Sequence, residues 1–227
     1  MITTDVGVKL EKDISETLAL FTIKPVRGAI WVPGMFLQLS LTRKSASEPW
    51  LDSKPFSIAS WGRETLRIIV RKEGKFTTEL FNLGKEGFTG SMKYPLGTFY
   101  LNEPGKKVFL AGGAGISAFT SYLEFAFKKD MKERVIVYHS ARSTRETLDS
   151  FYWSTIPDQI TVNTNITRSE ETDNKRGRLT FEELKEDILD LESYEYYVCG
   201  PPGFNNYWVN SLSKEHLKVR SESWIVS

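Results

Sequence analysis

From residue 1 to about 102 the chain is a succession of short apolar and β-branched runs broken by turn residues, the pattern of strands in an all-β unit. Thr17 to Ile23, Met35 to Leu41, Phe56 to Ser60 and Leu66 to Arg71 are such runs. Helical spacing first becomes convincing at Ile116 to Phe127. In that second part, strand-like runs at Val108 to Ala111, Val135 to Tyr138, Ile160 to Thr164 and Tyr196 to Cys199 alternate with helix-like segments. Such alternation predicts a parallel sheet joined by crossover helices.

The two patterns meet at Asn102-Glu103-Pro104-Gly105-Lys106-Lys107, a polar stretch with a Pro-Gly step. The expected organisation is one domain over 1–102 and a second over 103–227. Arg168 to Arg178 is charged and poor in apolar residues, which predicts an exposed loop. Thr180, with Glu183 three residues on, reads as the N-cap and capping box of a helix that follows.

Composition removes several function classes. With 40% hydrophobic residues the chain can bury real cores, and 30 basic against 29 acidic residues leave no global field for nucleic acid or an anionic membrane. The start, MITTDVGVKLEKD, lacks a signal-peptide pattern, and no run of about 18 apolar residues occurs, so a cytoplasmic protein is expected. A single cysteine, Cys199, cannot form an internal disulfide or supply a cysteine-held iron–sulfur cluster. The two histidines, His139 and His216, have no zinc-like spacing, and no metal is expected.

The first chemical signal is Val108-Phe109-Leu110-Ala111-Gly112-Gly113-Ala114-Gly115-Ile116-Ser117-Ala118, an apolar strand running through a glycine turn into an amphipathic helix. Gly113, Gly115 and Ala118 satisfy a G-x-G-x-x-[GA] spacing, in which missing side chains let backbone N–H groups and a helix N-terminus approach a pyrophosphate. Gly112 to Ser117 are the candidate contacts; packing alone also produces glycine turns of this kind. The second strand leads into His139-Ser140-Ala141-Arg142-Ser143-Thr144-Arg145, with no carboxylate before Glu146. Ser140, Arg142 and Arg145 suit a ribose 2′-phosphate better than a free 2′-hydroxyl, which leans the nucleotide toward NADP(H) over NAD(H). An ordinary solvated helix start is the other reading.

Three further segments make the reading specific. Lys54-Pro55-Phe56-Ser57-Ile58-Ala59-Ser60 resembles the Arg-x-Tyr-Ser-x-x-Ser flavin motif of the ferredoxin–NADP reductase superfamily. Gly74-Lys75-Phe76-Thr77-Thr78 resembles that family's Gly-x-x-Ser/Thr turn around the FAD pyrophosphate, and Cys199-Gly200-Pro201-Pro202-Gly203 its Cys-Gly-Pro-Pro stretch beside the nicotinamide. The segments stand in the family's order with the glycine turn between them. Lesser likenesses are Pro33 to Leu39, Tyr94 to Gly97 and the ending Glu222-Ser223-Trp224. Lys54 replaces the usual arginine, Phe56 the tyrosine, Ala118 a common proline and Phe204 a common methionine. Taken singly, Phe56 reads as strand core, Cys199 as a small buried apolar residue and Trp224 as a C-terminal anchor.

The resemblance implies two domains, an N-terminal antiparallel β-barrel that binds FAD and a C-terminal Rossmann-like α/β domain that binds NADP(H) or NAD(H). It implies hydride transfer from nicotinamide to flavin, with the cofactors carrying the chemistry and the protein orienting them. Ser57, Cys199, Glu222 and Trp224 would stand at the reacting rings. Lys54 to Ser57, then Ile69, Val70 and Arg71, and Gly74 to Thr77 would hold the flavin, and Cys199 to Pro202 the nicotinamide. The implied acceptor is a protein such as a ferredoxin, a flavodoxin or an oxygenase component. Two other readings are an electron-transfer subunit of a larger complex and a non-catalytic flavin- or nucleotide-binding module.

Overall fold

The computed structural model describes residues 1–24, 30–62, 65–150, 152, 155–168 and 177–222, which fall into two compact units. The first comprises Met1–Asn102 together with Ser117–Phe125, and the second Glu103–Ile116 together with Ala126–Ser227.

In the first unit β1 (Ile2–Ser15), β2 (Leu18–Lys24), β3 (Phe36–Ser40), β4 (Lys54–Ser57), β5 (Leu66–Arg71) and β6 (Phe88–Leu96) form one antiparallel sheet in the order β4-β3-β6-β1-β2-β5. The two end strands curl toward each other: just past β4 the Ala59 N–H donates to Arg67 O of β5 at 2.8 Å, so the sheet is a nearly closed barrel. Alternation does the sorting. On β1, Val6 and Val8 turn inward while Asp5, Gly7 and Lys9 face water. They join Phe21, Leu37, Leu39, Ile68, Val70 and Met92 in the barrel core.

One element departs from the all-β expectation, a helix, α1 (Gly74–Glu86), inserted between β5 and β6. Phe76, Leu80, Phe81 and Leu83 have helical spacing, but the glycines at 74, 84 and 87 punctuate the segment like a loop. Leu80 and Phe81 bury against the barrel, Phe81 meeting Phe21 edge-to-face at 5.3 Å. Burial of two such side chains stabilises by roughly 3–6 kcal/mol, enough to outweigh the weak local signal. Gly84 is required because a Cβ there would stand 2.5 Å from the Phe21 ring.

In the second unit β7 (Lys106–Gly112), β8 (Val135–Ala141), β9 (Ile160–Ile166), β10 (Tyr194–Cys199) and β11 (Val219–Glu222) form a wholly parallel sheet in the order β11-β10-β7-β8-β9. A 3-10 turn over Gly113–Ile116 leads from β7 into α2 (Ser117–Lys128), whose Ser117–Phe125 stretch is counted with the first unit; α3 (Phe181–Asp187) and α4 (Pro202–Lys214) belong to the second. Val108, Leu110, Ile136, Tyr196 and Val198 on one sheet face pack with Phe181 and Leu184 of α3 and with Trp208 and Leu212 of α4. The alternate residues Phe109, Val137, Tyr197 and Cys199 are buried too, as in a sheet covered on both faces. Thr180 and Glu183 form the expected capping box. Most of the segment from Arg168 to Arg178 lies outside the described residues.

Lys107, in the polar stretch where the pattern changes, is 1% exposed. Its ammonium donates to the carbonyls of Glu103 and Gly105, so it closes the Pro104-Gly105 turn from beneath. Burial holds its pKa below the usual lysine value. Among the described residues no helix is long and apolar enough to cross a membrane.

Candidate functional site

The proposed flavin segments of the first unit lie on its two end strands, β4 and β5, which closure of the barrel sets side by side, and at the start of α1. β4 is an end strand, and its residues face β3 in register, Lys54 with Leu39, Pro55 with Gln38, Phe56 with Leu37 and Ser57 with Phe36. Ser57 is buried at the strand's exit; Lys54, Pro55 and Phe56 are partly exposed. The Phe56 ring lies 6.1 Å from that of Phe76 in the first turn of α1, tilted by 32°, so β4 and α1 share a small aromatic surface.

The start of α1 has the chemistry of an anion cradle. Helix N-termini leave their first N–H groups without intrahelical partners. The cap residue Glu73 supplies no side-chain cap and the first turn holds no acidic residue. Thr77 is turned to the helix's own needs, its hydroxyl accepting from Glu73 N–H at 2.6 Å and donating to Glu73 O at 2.7 Å. Helix geometry gives the amides of Gly74, Lys75 and Phe76 no intrahelical partner. Gly74 has φ +80°, and a Cβ built there meets nothing within 4 Å, so this corner is open. On β5, Val70 points into the core and Arg71 donates to Thr17 Oγ1 at 3.0 Å, while Ile69 is buried on the other face.

The loop leaving β4 is held by α2 within the same unit. Thr120 donates to Ala59 O at 2.7 Å, and the buried Glu124 carboxylate accepts the Trp61 N–H. Trp61 and Phe125 pack edge-to-face at 5.1 Å. No sequence motif marks Thr120 or Glu124.

In the second unit the chain runs from β7 outward through β8 and β9, then returns to place β10 on the other side of β7. The β7–β10 boundary is thus the topological switch point, the place where open parallel sheets generally bind ligands. Gly112 ends β7 there and Gly113 to Ser117 follow it, while Cys199 ends β10 and Gly200, Pro201 and Pro202 follow. The two turns interlock. A Cβ on Gly115 would lie 2.1 Å from Cys199 O, one on Gly112 2.9 Å from the Phe204 ring, and one on Gly200 3.0 Å from Gly112 Cα. Absent side chains at 112, 115 and 200 therefore serve contact between the turns. Gly113, Ala114 and Gly115 are partly exposed, and neither the turn nor the first turn of α4 carries an acidic residue. Two helix starts free of negative charge suit a diphosphate.

Cys199 is 2% exposed and stands opposite Glu222 across the β10–β11 pairing. Burial pushes its thiol up to about 12, with the Glu222 charge a second cause. The Glu222 carboxyl is pushed up to about 7 by burial. Asn205 of α4, 2% exposed, donates from Nδ2 to Glu222 O at 2.6 Å and fixes the end of β11; its sequence surroundings give no sign of this. Trp224, two residues on, lies outside the described residues. Ser140 and Arg142 are partly exposed and Arg145 exposed, all at the C-terminal end of β8.

Residues 109–209 match the family model described as the oxidoreductase NAD-binding domain. The chain is 26% identical over 178 residues to the reductase component of the naphthalene 1,2-dioxygenase system of Pseudomonas putida, covering 75% of this chain and 52% of that protein. It is 25% identical over 230 residues to the electron transfer component of anthranilate 1,2-dioxygenase of Acinetobacter baylyi, covering 97% of this chain and 66% of that protein. The chain thus spans between about half and two thirds of the length of these relatives. Its fold is that of the FAD/NAD-binding domain of nitric oxide dioxygenase from Vibrio cholerae, with a TM-score of 0.78 at 19% identity, covering 96% of this chain and 98% of that domain.

Proposed function

The chain belongs to the ferredoxin–NADP reductase superfamily, and from that premise we propose that it is an FAD-dependent NAD(P)H oxidoreductase that hands electrons to a protein acceptor. The observation that carries this reading is the pair of interlocked turns at the β7–β10 switch point, Gly115 against Cys199, in a chain that also holds an open helix start at Gly74. The reading assigns the flavin to residues 1–102 and the nicotinamide nucleotide to 103–227.

The residues present fit both groups. The Gly74, Lys75 and Phe76 amides would take the flavin diphosphate, and Phe56 with Phe76 would offer the rings an apolar wall. Lys54 would add charge as a single point rather than a two-pronged guanidinium. Ser57 would supply a hydroxyl at the exit of β4. The partly exposed Gly113-Ala114 part of the turn would take the nucleotide diphosphate, with Ser140, Arg142 and Arg145 at its ribose end. When bound, FAD supplies a hydride acceptor that can release electrons one at a time. Cys199 stays a neutral thiol at physiological pH and acts by filling space, and Glu222 holds a proton up to about pH 7.

The acceptor is expected to be a ferredoxin, a flavodoxin or an oxygenase component, in keeping with the oxygenase systems named for the relatives. One cysteine cannot hold an iron–sulfur cluster, so any such centre belongs outside these 227 residues. A cytoplasmic location goes with this reading. The test is an anaerobic visible spectrum of the protein with FAD, before and after NADPH or NADH. Bleaching of the bound-flavin band is the expected result. Bound flavin that neither coenzyme reduces would replace the reductase by a binding module.

A further inference from the structure

Beneath the glycine turn lies His139, one of two histidines in the chain and 1% exposed. It sits on β8 opposite Ala111 of β7, and its Nε2 is 3.1 Å from the carbonyl oxygen of Gly113. A carbonyl oxygen only accepts, so this ring nitrogen carries the proton and donates it. Spacing assigns the histidine nothing of the kind, and no metal or proton-transfer role needs it.

The consequence follows from peptide geometry. In a trans peptide the C=O of one residue and the N–H of the next lie in one plane and point in opposite directions. Holding the Gly113 carbonyl toward the buried imidazole therefore turns the Ala114 N–H the other way. Ala114 is partly exposed, as this direction of the amide requires. Gly113 itself has φ +55°, a conformation that glycine enters readily and leaves as readily, and no side chain of its own can hold the peptide. A flexible turn must lose that freedom on binding; a turn already held loses less.

We infer that His139 is a positioning residue for a nucleotide diphosphate: its imidazole orients the Gly113–Ala114 peptide so that the Ala114 amide is presented to the anion before it arrives. The inference rests on the proposed function only in taking the turn as the nucleotide site. It adds a residue from the neighbouring strand that would touch no ligand atom, and it separates affinity for diphosphates from the handling of flavin.

The test uses the full chain and two soluble probes, ADP and NADP+, with dissociation constants measured by calorimetry and FAD affinity as the internal control. His139→Leu removes the donor and keeps an apolar body. Losing one hydrogen bond of ordinary strength should weaken ADP and NADP+ binding roughly threefold to tenfold. His139→Gln places an amide N–H near the Nε2 position and should return affinity toward the wild-type value, and FAD binding should be unchanged in both. Should the leucine variant fail to fold, His139→Asn, whose amide is too short to reach the carbonyl, takes its place beside glutamine. Equal ADP affinity in the wild type and the leucine or asparagine variant overturns the inference. So does a parallel loss of FAD affinity and ADP affinity that glutamine fails to restore, the mark of general support. A wild-type chain that binds neither ADP nor NADP+ overturns the nucleotide reading and this inference with it, whereas wild-type binding that ignores residue 139 removes the inference alone.

Discussion

Gly115→Ala should damage the chain by a route that has nothing to do with the turn's flexibility. A Cβ at 115 would stand 2.1 Å from Cys199 O, 2.6 Å from Cys199 C and 2.9 Å from Gly200 Cα, whereas real Cβ atoms essentially never come within 3.0 Å of such atoms. The difference, 3.0 − 2.1, is a displacement of about 0.9 Å demanded of backbone, not of a flexible side-chain end. That backbone ends β10, which is paired to β7 on one side and β11 on the other, so it has little room to retreat. Overpacking of this kind costs about 1–3 kcal/mol, and rigid backbone puts it at the top of the range. For a chain of this size about 3 kcal/mol lowers Tm by roughly 6–12 °C. The control is Gly203→Ala, in the first turn of α4 with nothing within 4 Å of the new Cβ, which should leave Tm unchanged or raise it slightly. Thermal unfolding followed by circular dichroism reads both. If Gly115→Ala melts within 2 °C of the wild type, as an order-of-magnitude threshold, the argument that the glycine is a spacer between turns is refuted.

Three other outcomes follow from the same geometry. The Glu222 carboxyl titrates near 7 in the folded chain and in the usual carboxylate range when unfolded, so the folded state binds the extra proton between those limits. Stability from this group is present at low pH and is lost as pH rises toward and through about 7; Glu222→Gln should flatten that part of a stability–pH curve, and an unchanged curve would show that the group does not titrate there. Cys199, buried and with its thiol pushed up to about 12, should resist a thiol reagent at neutral pH until the chain is unfolded by denaturant; prompt labelling of the native protein would contradict its burial. Thr120→Val keeps volume but removes the hydroxyl that donates to Ala59 O, and should cost about 1 kcal/mol, read as a Tm lower by roughly 2–4 °C; no change would mean that water replaces the bond without loss.

Much of this protein is legible along the chain because the relevant physics is local. Short apolar and β-branched runs bounded by turn residues set the strands β2, β3 and β5, and helical spacing sets α2, within a residue or two of where the structure has them. The Thr180–Glu183 capping box acts over three residues, and it forms as read. The strand–glycine turn–helix run at 108–118 likewise carries its own context.

What only the tertiary structure decided turns on which groups strand order and packing bring together, whether near or far in sequence. α1 is a helix because Leu80 and Phe81 find the barrel core, although local glycines argue for a loop. Lys107 looks like boundary surface and is buried, because two carbonyls of the preceding turn converge on its ammonium. The spacing of the glycines fits a phosphate cradle, yet Gly115 is needed against Cys199, since the β7–β10 pairing forces those turns into contact. Cys199 faces Glu222, and His139 reaches Gly113, through sheet pairings that periodicity cannot rank. A residue's propensity senses a few neighbours; its role at a site depends on which strand the closed chain lays beside it.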